Sequence, residues 1–514
     1  MQKLLEAVFR LDASGDFFGL QEFIVNNRYG AGQVFIVFQQ LLINKRLRSA
    51  YVLALMLDKS GQQHPSISLA LCVGGLIYDK REEETRGLRM LTTQTDAQPA
   101  AQQQFMDREL IFPVMVGALN EVLPKSDPSL VLRVIAILKA AAPQFRTIFD
   151  WDAPTTELSL VKMRQRRPEQ LPLVSNPLPP AGVPRLRRKV LIVIRQNRGV
   201  GVRYSAAMNS YGWQAEVCDG LQMTEDAAGD DCRFIAERCR HEQIDLLLFD
   251  ARQLYACNKG MDAYRAMKVQ LQQENPALKV LGTFFDSTEE MERDVLEKVI
   301  DFLDGALSYH HNPLAPHMLA NPHYKKKVLH NFLVPVCDRS FGSTDRPLLP
   351  QMYFRGTISA PHWTRVLWLA AADHIGLPIT KKINSFSYEN PLYKQSPLDD
   401  HVAYMRDLAE ATCCFSVVMC DYQLRYLIYR SFEVPLSGSL LVQEFTPLMY
   451  NYFIPGEHYL EYTTLAELAS IARFITERRE EAEAVRRCGH AFAREQFSDE
   501  KMIGQIDKFL YFPD

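Results

Sequence analysis

The residues best suited to chemistry lie near the end of the chain, in Arg430-Ser431-Phe432-Glu433-Val434-Pro435-Leu436-Ser437-Gly438. This run leads straight into the apolar segment Ser439-Leu440-Leu441-Val442 and closes on Gln443-Glu444. An acidic side chain on a helix that ends at a glycine, directly before a buried strand, can accept hydrogen bonds from both hydroxyls of a ribose. The glycine meanwhile gives a diphosphate room to approach the backbone. An arginine one turn earlier can neutralise that diphosphate. Arg430 and Glu433 also have the spacing of a helix-surface ion pair worth a few tenths of a kcal/mol. The pattern around them favours a site over that simpler use.

A second stretch, Arg195-Gln196-Asn197-Arg198-Gly199-Val200-Gly201-Val202-Arg203-Tyr204, follows an apolar strand-length run. It looks like the opening of a phosphate-binding glycine turn, in which Gly201 lets backbone N–H groups approach an anion. A dinucleotide fingerprint asks for a third glycine where this chain has Tyr204, although Asp219 stands where a ribose ligand would. A tight strand-to-helix turn facing a cleft is therefore the preferred reading over a nicotinamide or flavin site.

Such groups need elements to position them, and the composition limits which. The chain has 514 residues, 47% hydrophobic and 23% charged, with 58 basic against 61 acidic side chains. These proportions exclude disordered, collagenous and coiled-coil classes. At this length, beyond the roughly 250–300 residues of one core, the chain divides into domains. The net charge of −3 supplies no overall field for nucleic acid or anionic membrane. No apolar run approaches the roughly 18 residues of a membrane span, and Met1-Gln2-Lys3-Leu4-Leu5-Glu6 meets charge too early for a secretory signal, so the protein reads as cytoplasmic. The ten cysteines are scattered and read as buried thiols.

Residues 1–155 repeat apolar positions at helical spacing, as in Leu4, Leu5, Val8 and Phe9 or Leu130, Val131, Val134, Ile135 and Leu138, and predict an all-α, helical-repeat-like domain. Residues 156–188 mix prolines and arginines and predict an extended, semi-rigid linker. From 189 the pattern turns to alternating strand and helix. Apolar runs at Val190–Ile194, Ile244–Phe249 and Val280–Phe285 predict a first Rossmann-like domain over 189–335. Runs at Met352–Phe354, Phe415–Met419 and Ser439–Val442 predict a second over 336–514. Two parallel sheets of this kind face each other across a cleft, and ligands of such sheets bind beyond the carboxyl ends of the strands.

The run Arg-x-Phe-Glu, a small residue and glycine, a buried strand and an acidic residue is followed by Pro455-Gly456-Glu457 and a helix containing Glu467-Leu468. This combination resembles the C-terminal domain of GT-B glycosyltransferases of the group-1-like kind, in particular the branch that includes spore-maturation-type proteins. The resemblance extends more faintly over about Lys189 to Phe509 and leaves the helical domain uncovered. It implies an α/β GT-B fold and transfer of a sugar from a nucleotide-sugar donor, UDP- or GDP-linked, without a metal or other cofactor. By the same resemblance Glu433 holds the donor ribose, Arg430 the diphosphate, and Gly438 gives backbone room. Phe354-Arg355-Gly356-Thr357 matches a strand ending in a glycine turn, and Arg355 and Arg365 supply charge for the departing nucleotide. Glu444 is a further carboxylate at the strand end. Sugar-retaining relatives carry a glutamate eight positions before Glu433; Arg425 stands there instead, joins the nucleotide-binding candidates, and leaves retention or inversion open.

An inverting transfer needs a base from the first domain, and Asp286 and His311, each near the end of a strand-like run, are the leading candidates. Asp286 also suits the cap of the following helix. The cluster His310, His311, His317 and His323 is broken by prolines and lacks metal-ligand spacing. The acceptor is read as a protein or a surface polysaccharide brought by the helical domain. Nucleic acid and a membrane span are not expected, and a homo-oligomer stays open. The alternative is a non-catalytic scaffold of the same fold acting through its helical domain.

Overall fold

A computed structural model describes residues 2–97, 111–125, 127–174, 186–194, 198–218, 221–285, 287, 289–310, 313–357, 363–384, 397–418 and 427–512. The N-terminal region is all helical, from Gln2–Ser14 to Gln144–Ile148. Its breaks do what short polar breaks do: Asp16 and Asp127 turn their carboxylates back to accept from Gly19 N and Ser129 N at helix starts. Pro65–Ile77, apolar on every side, is buried along its whole length, as a helix without a polar face must be.

Two parallel sheets follow. The first has the order β2-β1-β3-β4-β5-β6, with β1 Lys189–Val193, β2 Gln214–Val217, β3 Leu246–Asp250, β4 Lys279–Thr283, β5 Gly305–Leu307 and β6 Val328–Leu329. The second has the order β11-β10-β9-β7-β8, with β7 Met352–Thr357, β8 Ile379–Asn384, β9 Cys413–Ser416, β10 Leu440–Glu444 and β11 Leu460–Tyr462. Every strand pairing is parallel. Helices cross over between the strands, so two Rossmann-like α/β units preceded by an all-α region make up the architecture of the described residues. The strand order reverses between β1 and β3 in the first sheet and between β7 and β9 in the second. These switch points are where helices leave to opposite faces and open a crevice.

The helical region packs on the second sheet rather than the first. Its apolar core is continuous with that of β7, β9, β10 and the helix Trp363–His374. Phe145 meets Trp363 at 6.2 Å and Phe149 meets Trp368 at 5.0 Å between ring centroids. The other face of the second sheet shares its core with the first unit.

The described part of the proline- and arginine-rich segment, residues 156–174, contains a short helix, Leu160–Arg164, and rests on the second unit. Arg164 donates to Gly456 O, Arg166 pairs with Glu461 and Glu467, and Arg167 donates to Tyr450 O. The acids of the second unit supply the partners that hold its basic residues. The last helix, Asp499–Tyr511, crosses back to the first sheet. There Asp507 lies 3.0 Å from Arg188, and Tyr511 donates to Asp245 O. At that crossing Asp338 N donates to the Asp499 carboxylate and Asp499 N donates to the Asp338 carboxylate, at 3.2 and 3.0 Å. Among the described residues no helix is long and apolar enough to cross a membrane, and the cysteines are free and buried except Cys488.

Candidate functional site

Glu433 lies on the helix Arg430–Leu436, which follows the switch-point strand β9. The helix is short because Pro435 removes a donor near its end and Gly438, at φ +80°, turns the chain into β10. It is pinned from behind. Arg486, almost wholly buried, donates to Gly438 O at 2.6 Å, the His490 ring contacts Pro435 O at 2.7 Å, and Ser431 donates to Gln443 Oε1 at 2.6 Å. A rigid support of this kind presents the first turn of the helix to the cleft, with both Arg430 and Glu433 buried.

Across the cleft, the helix Arg198–Tyr211 follows the switch-point strand β1 of the first sheet. Its Arg203 places Nη2 2.9 Å from Glu433 Oε1 and its guanidinium 5.0 Å over the Tyr429 ring. The two switch points therefore meet through one ion pair. His401, on the helix Pro397–Ala411, has Nδ1 4.0 Å from the same carboxylate oxygen. Burial, with the charge of Arg203 added, pushes its pKa down to about 2, so the imidazole is neutral.

Arg430 stacks over Phe354 at 5.0 Å and bonds to the Tyr404 hydroxyl, whose pKa is raised by burial first and by Glu433 second. Arg355 lies over the other side of this group, 4.8 Å from the Tyr404 ring, and pairs with Asp407. Three guanidiniums thus face two carboxylates. Several of their N–H groups, Arg203 Nη1, Arg355 Nε and Arg430 Nε and Nη1, are buried with no hydrogen-bond partner among the described residues, as is His401 Nε2. Buried donors left unpaired cost free energy, about 1–3 kcal/mol each, and a set of cationic ones in one cleft suits an anion with many acceptor oxygens.

The structure brings together Arg430, Glu433, Arg355 and Gly356 of the expected residues. Gly356 has a different use from a glycine turn: a Cβ there would stand 2.4 Å from Arg430 Nη2, so the glycine makes room for that guanidinium. Gly356→Ala is expected to displace Arg430, a flexible side-chain end, rather than unfold β7. Nucleoside diphosphate affinity should fall about tenfold with the loss of one charged hydrogen bond, while the thermal midpoint stays within a few degrees. Calorimetry and a melting curve measure both.

Three expected residues are placed away from this cluster. Gly438 lies just before β10, where a Cβ would meet Ser343 O at 2.3 Å, so the absence of a side chain lets two loops pack closely. Glu444 is buried and accepts from the Trp368 indole at 3.1 Å and from Val418 N at 3.2 Å, a structural use of a strand-end carboxylate. Gly201 lies inside the helix Arg198–Tyr211, where a Cβ would make only ordinary contacts, at 3.4–3.5 Å, with Ile192 of β1 and Val217 of β2. Arg365 is half-buried in the first turn of the helix Trp363–His374. Asp286, His311 and Arg425 lie outside the described residues.

His310, neighbour of the expected base, is buried at the carboxyl end of the first sheet. Its Nε2 lies 3.0 Å from Ser287 O and 3.9 Å from Glu292, a carboxyl whose pKa burial raises. Arg203, His401 and Tyr404 were not singled out from the sequence. Arg203 carried the one usable signal, since it sits in the first helix after β1, just past Gly199 and Gly201.

Residues 365–507 match the family described as glycosyl transferase-like, a span that includes Arg430 and Glu433. No curated protein matches the chain. Among solved structures, Anabaena HepE in complex with UDP-glucose is similar at 12% identity and a TM-score of 0.44, over 63% of this chain and 99% of that one. A glycosyltransferase from Rickettsia africae is similar at 9% identity and a TM-score of 0.39, over 64% and 100%. Sucrose-phosphate synthase from Thermosynechococcus elongatus follows at 11% and 0.38, over 63% and 99%.

Proposed function

We propose that the chain is a glycosyltransferase that moves a sugar from a UDP- or GDP-linked donor, held mainly by the second Rossmann-like unit, to a protein or glycan acceptor. The reading is supported chiefly by the meeting of the two switch points at a buried cluster of arginines around one carboxylate, of which Arg430 and Glu433 fall inside the region that matches the glycosyl transferase-like family. Glu433 accepts the two ribose hydroxyls, and Arg430 donates to the diphosphate through the nitrogens that lack protein partners. Arg355 adds charge beside it.

In the transfer, a bond forms between the acceptor's nucleophilic atom and the anomeric carbon. The bond from that carbon to the terminal phosphate oxygen breaks, and its electron pair stays on the phosphate. The acceptor proton passes to a base on the first-unit side of the cleft. Positive groups fixed in a dry cleft stabilise the charge that collects on the leaving phosphate more than they would in water. Closure of the two units around the donor excludes water and limits its hydrolysis. The helical region, fastened to the donor-binding unit, is a rigid wall against which the acceptor is held.

Incubating the full chain with UDP-, GDP-, ADP- and CMP-sugars and following free nucleotide by mass spectrometry tests the reading. Release of UDP or GDP from at least one sugar is expected. If no donor is hydrolysed and no nucleoside diphosphate binds, the scaffold alternative takes its place.

A further inference from the structure

Glu433 forms an ion pair with a side chain that comes from the opposite unit. Arg203 Nη2 lies 2.9 Å from Glu433 Oε1 as an ion pair without hydrogen-bond geometry, the Arg203 side chain is 16% exposed, and neither Arg203 Nη1 nor Glu433 Oε1 has a hydrogen-bond partner among the described residues. The ribose hydroxyls assigned to Glu433 and the Arg203 guanidinium of the first unit therefore compete for the same carboxylate oxygens. A ribose that takes the carboxylate releases the arginine. Burial makes a released guanidinium costly unless an anion receives it.

We propose that Arg203 is a catalytic residue that changes partners during donor binding: it leaves Glu433 when the ribose hydroxyls arrive and moves to the terminal phosphate of the same donor. There it donates to the oxygen that keeps the electron pair when the bond to the anomeric carbon breaks. Arg203 stays protonated throughout, the acceptor's proton goes to the base, and no other group changes charge. This rests on the reading of Glu433 as the ribose ligand and adds a function for the first unit in recognising the donor.

The geometry supports such an exchange in three ways. The guanidinium is held over the Tyr429 ring at 5.0 Å, a contact that tolerates rotation of the N–H groups. Arg430, with Nε and Nη1 similarly without partners, marks the side on which an anion is received. His401, whose neutral imidazole is 4.0 Å from Glu433, adds no charge that would hold Arg203 back or replace it. The ion pair also joins the helix after β1 to the helix after β9, so the exchange couples donor arrival to the fit between the two units.

Exchange has a signature that simple binding lacks. A nucleoside offers the ribose but no phosphate, so it must displace Arg203 and leaves that charge without an anion. A nucleoside diphosphate both displaces it and receives it. Calorimetry on the full chain with uridine and guanosine, and with UDP and GDP, reads both. For Arg203→Met the diphosphate that binds the parent protein should bind about tenfold more weakly, from loss of a charged hydrogen bond. The corresponding nucleoside should bind several-fold more tightly, because its competitor is gone. Arg203→Lys, which preserves the charge, should show the same opposite signs at smaller size, and carries the test if the methionine variant does not fold. Weakening of both ligands alike, or no change in either, overturns the exchange. Glu433→Gln separates the two ideas: if it moves neither nucleoside nor diphosphate affinity, the ribose assignment itself fails. If it weakens both while Arg203→Met gives no opposite signs, only the exchange fails.

Discussion

Glu433→Gln is expected to lower affinity for the nucleoside diphosphate by about 10- to 100-fold, the range that follows from losing charged hydrogen bonds of about 1.5–3 kcal/mol. Glutamine keeps the volume of the side chain in a site where Glu433 is 3% exposed, but its amide offers one acceptor where the carboxylate offers two. Arg203 loses an ionic partner, yet it retains the Tyr429 ring and some contact with water, so the fold should persist. Titration calorimetry gives the affinity, and circular dichroism with a melting curve checks the fold. Affinity equal to that of the parent protein would remove the donor site from this helix.

Phe149→Ala is expected to destabilise the donor-binding unit by about 3–5 kcal/mol, although Phe149 belongs to the helical region. The side chain is 1% exposed, stacks on Phe145 at 6.1 Å and touches Trp368 at 5.0 Å. Trp368 in turn meets Tyr462 of β11 at 4.9 Å and donates to Glu444 at the end of β10. A cavity at Phe149 thus undercuts the sheet that carries the site. Urea unfolding followed by helical signal and by nucleotide binding should show both probes shifting together. If the helical signal is lost at lower urea while nucleotide binding keeps its midpoint, the two regions do not share a core in the way their packing indicates.

The strands that were legible in the sequence are those buried on both faces. β1, β3, β4, β9 and β10 read as continuous apolar runs because helices cover both sides of a parallel sheet, and β7 was read from Met352–Phe354 although its burial alternates. The missed ones carry weaker signals. β2 and β8 are edge strands with polar residues, Gln214 and Glu216 in one and Lys381 and Lys382 in the other. β5, β6 and β11 have three residues or fewer. Arg430 and Glu433 were readable because the helix, the glycine and the strand that hold them are contiguous. Arg203 comes from about 230 positions earlier, and nothing local marks which carboxylate it will meet. The partners of Glu444 and Gly438 were not legible for the same reason: nothing local in the sequence marks the Trp368 indole or the Ser343 loop that they meet. The linker's arginines were legible as charge, but their acceptors on the second unit lie nearly 300 positions away.

The return of the last helix gives the chain two crossings between its α/β units, and the reciprocal Asp338 and Asp499 bonds fasten these crossings side by side. Two straps sewn together at one spot act as a single axle: they allow the halves to swing but resist sliding or twisting. On the proposed reading, spent nucleotide then leaves by a pivoting motion that opens widest at the rim farthest from those aspartates, and the same stitch brings the halves back into register.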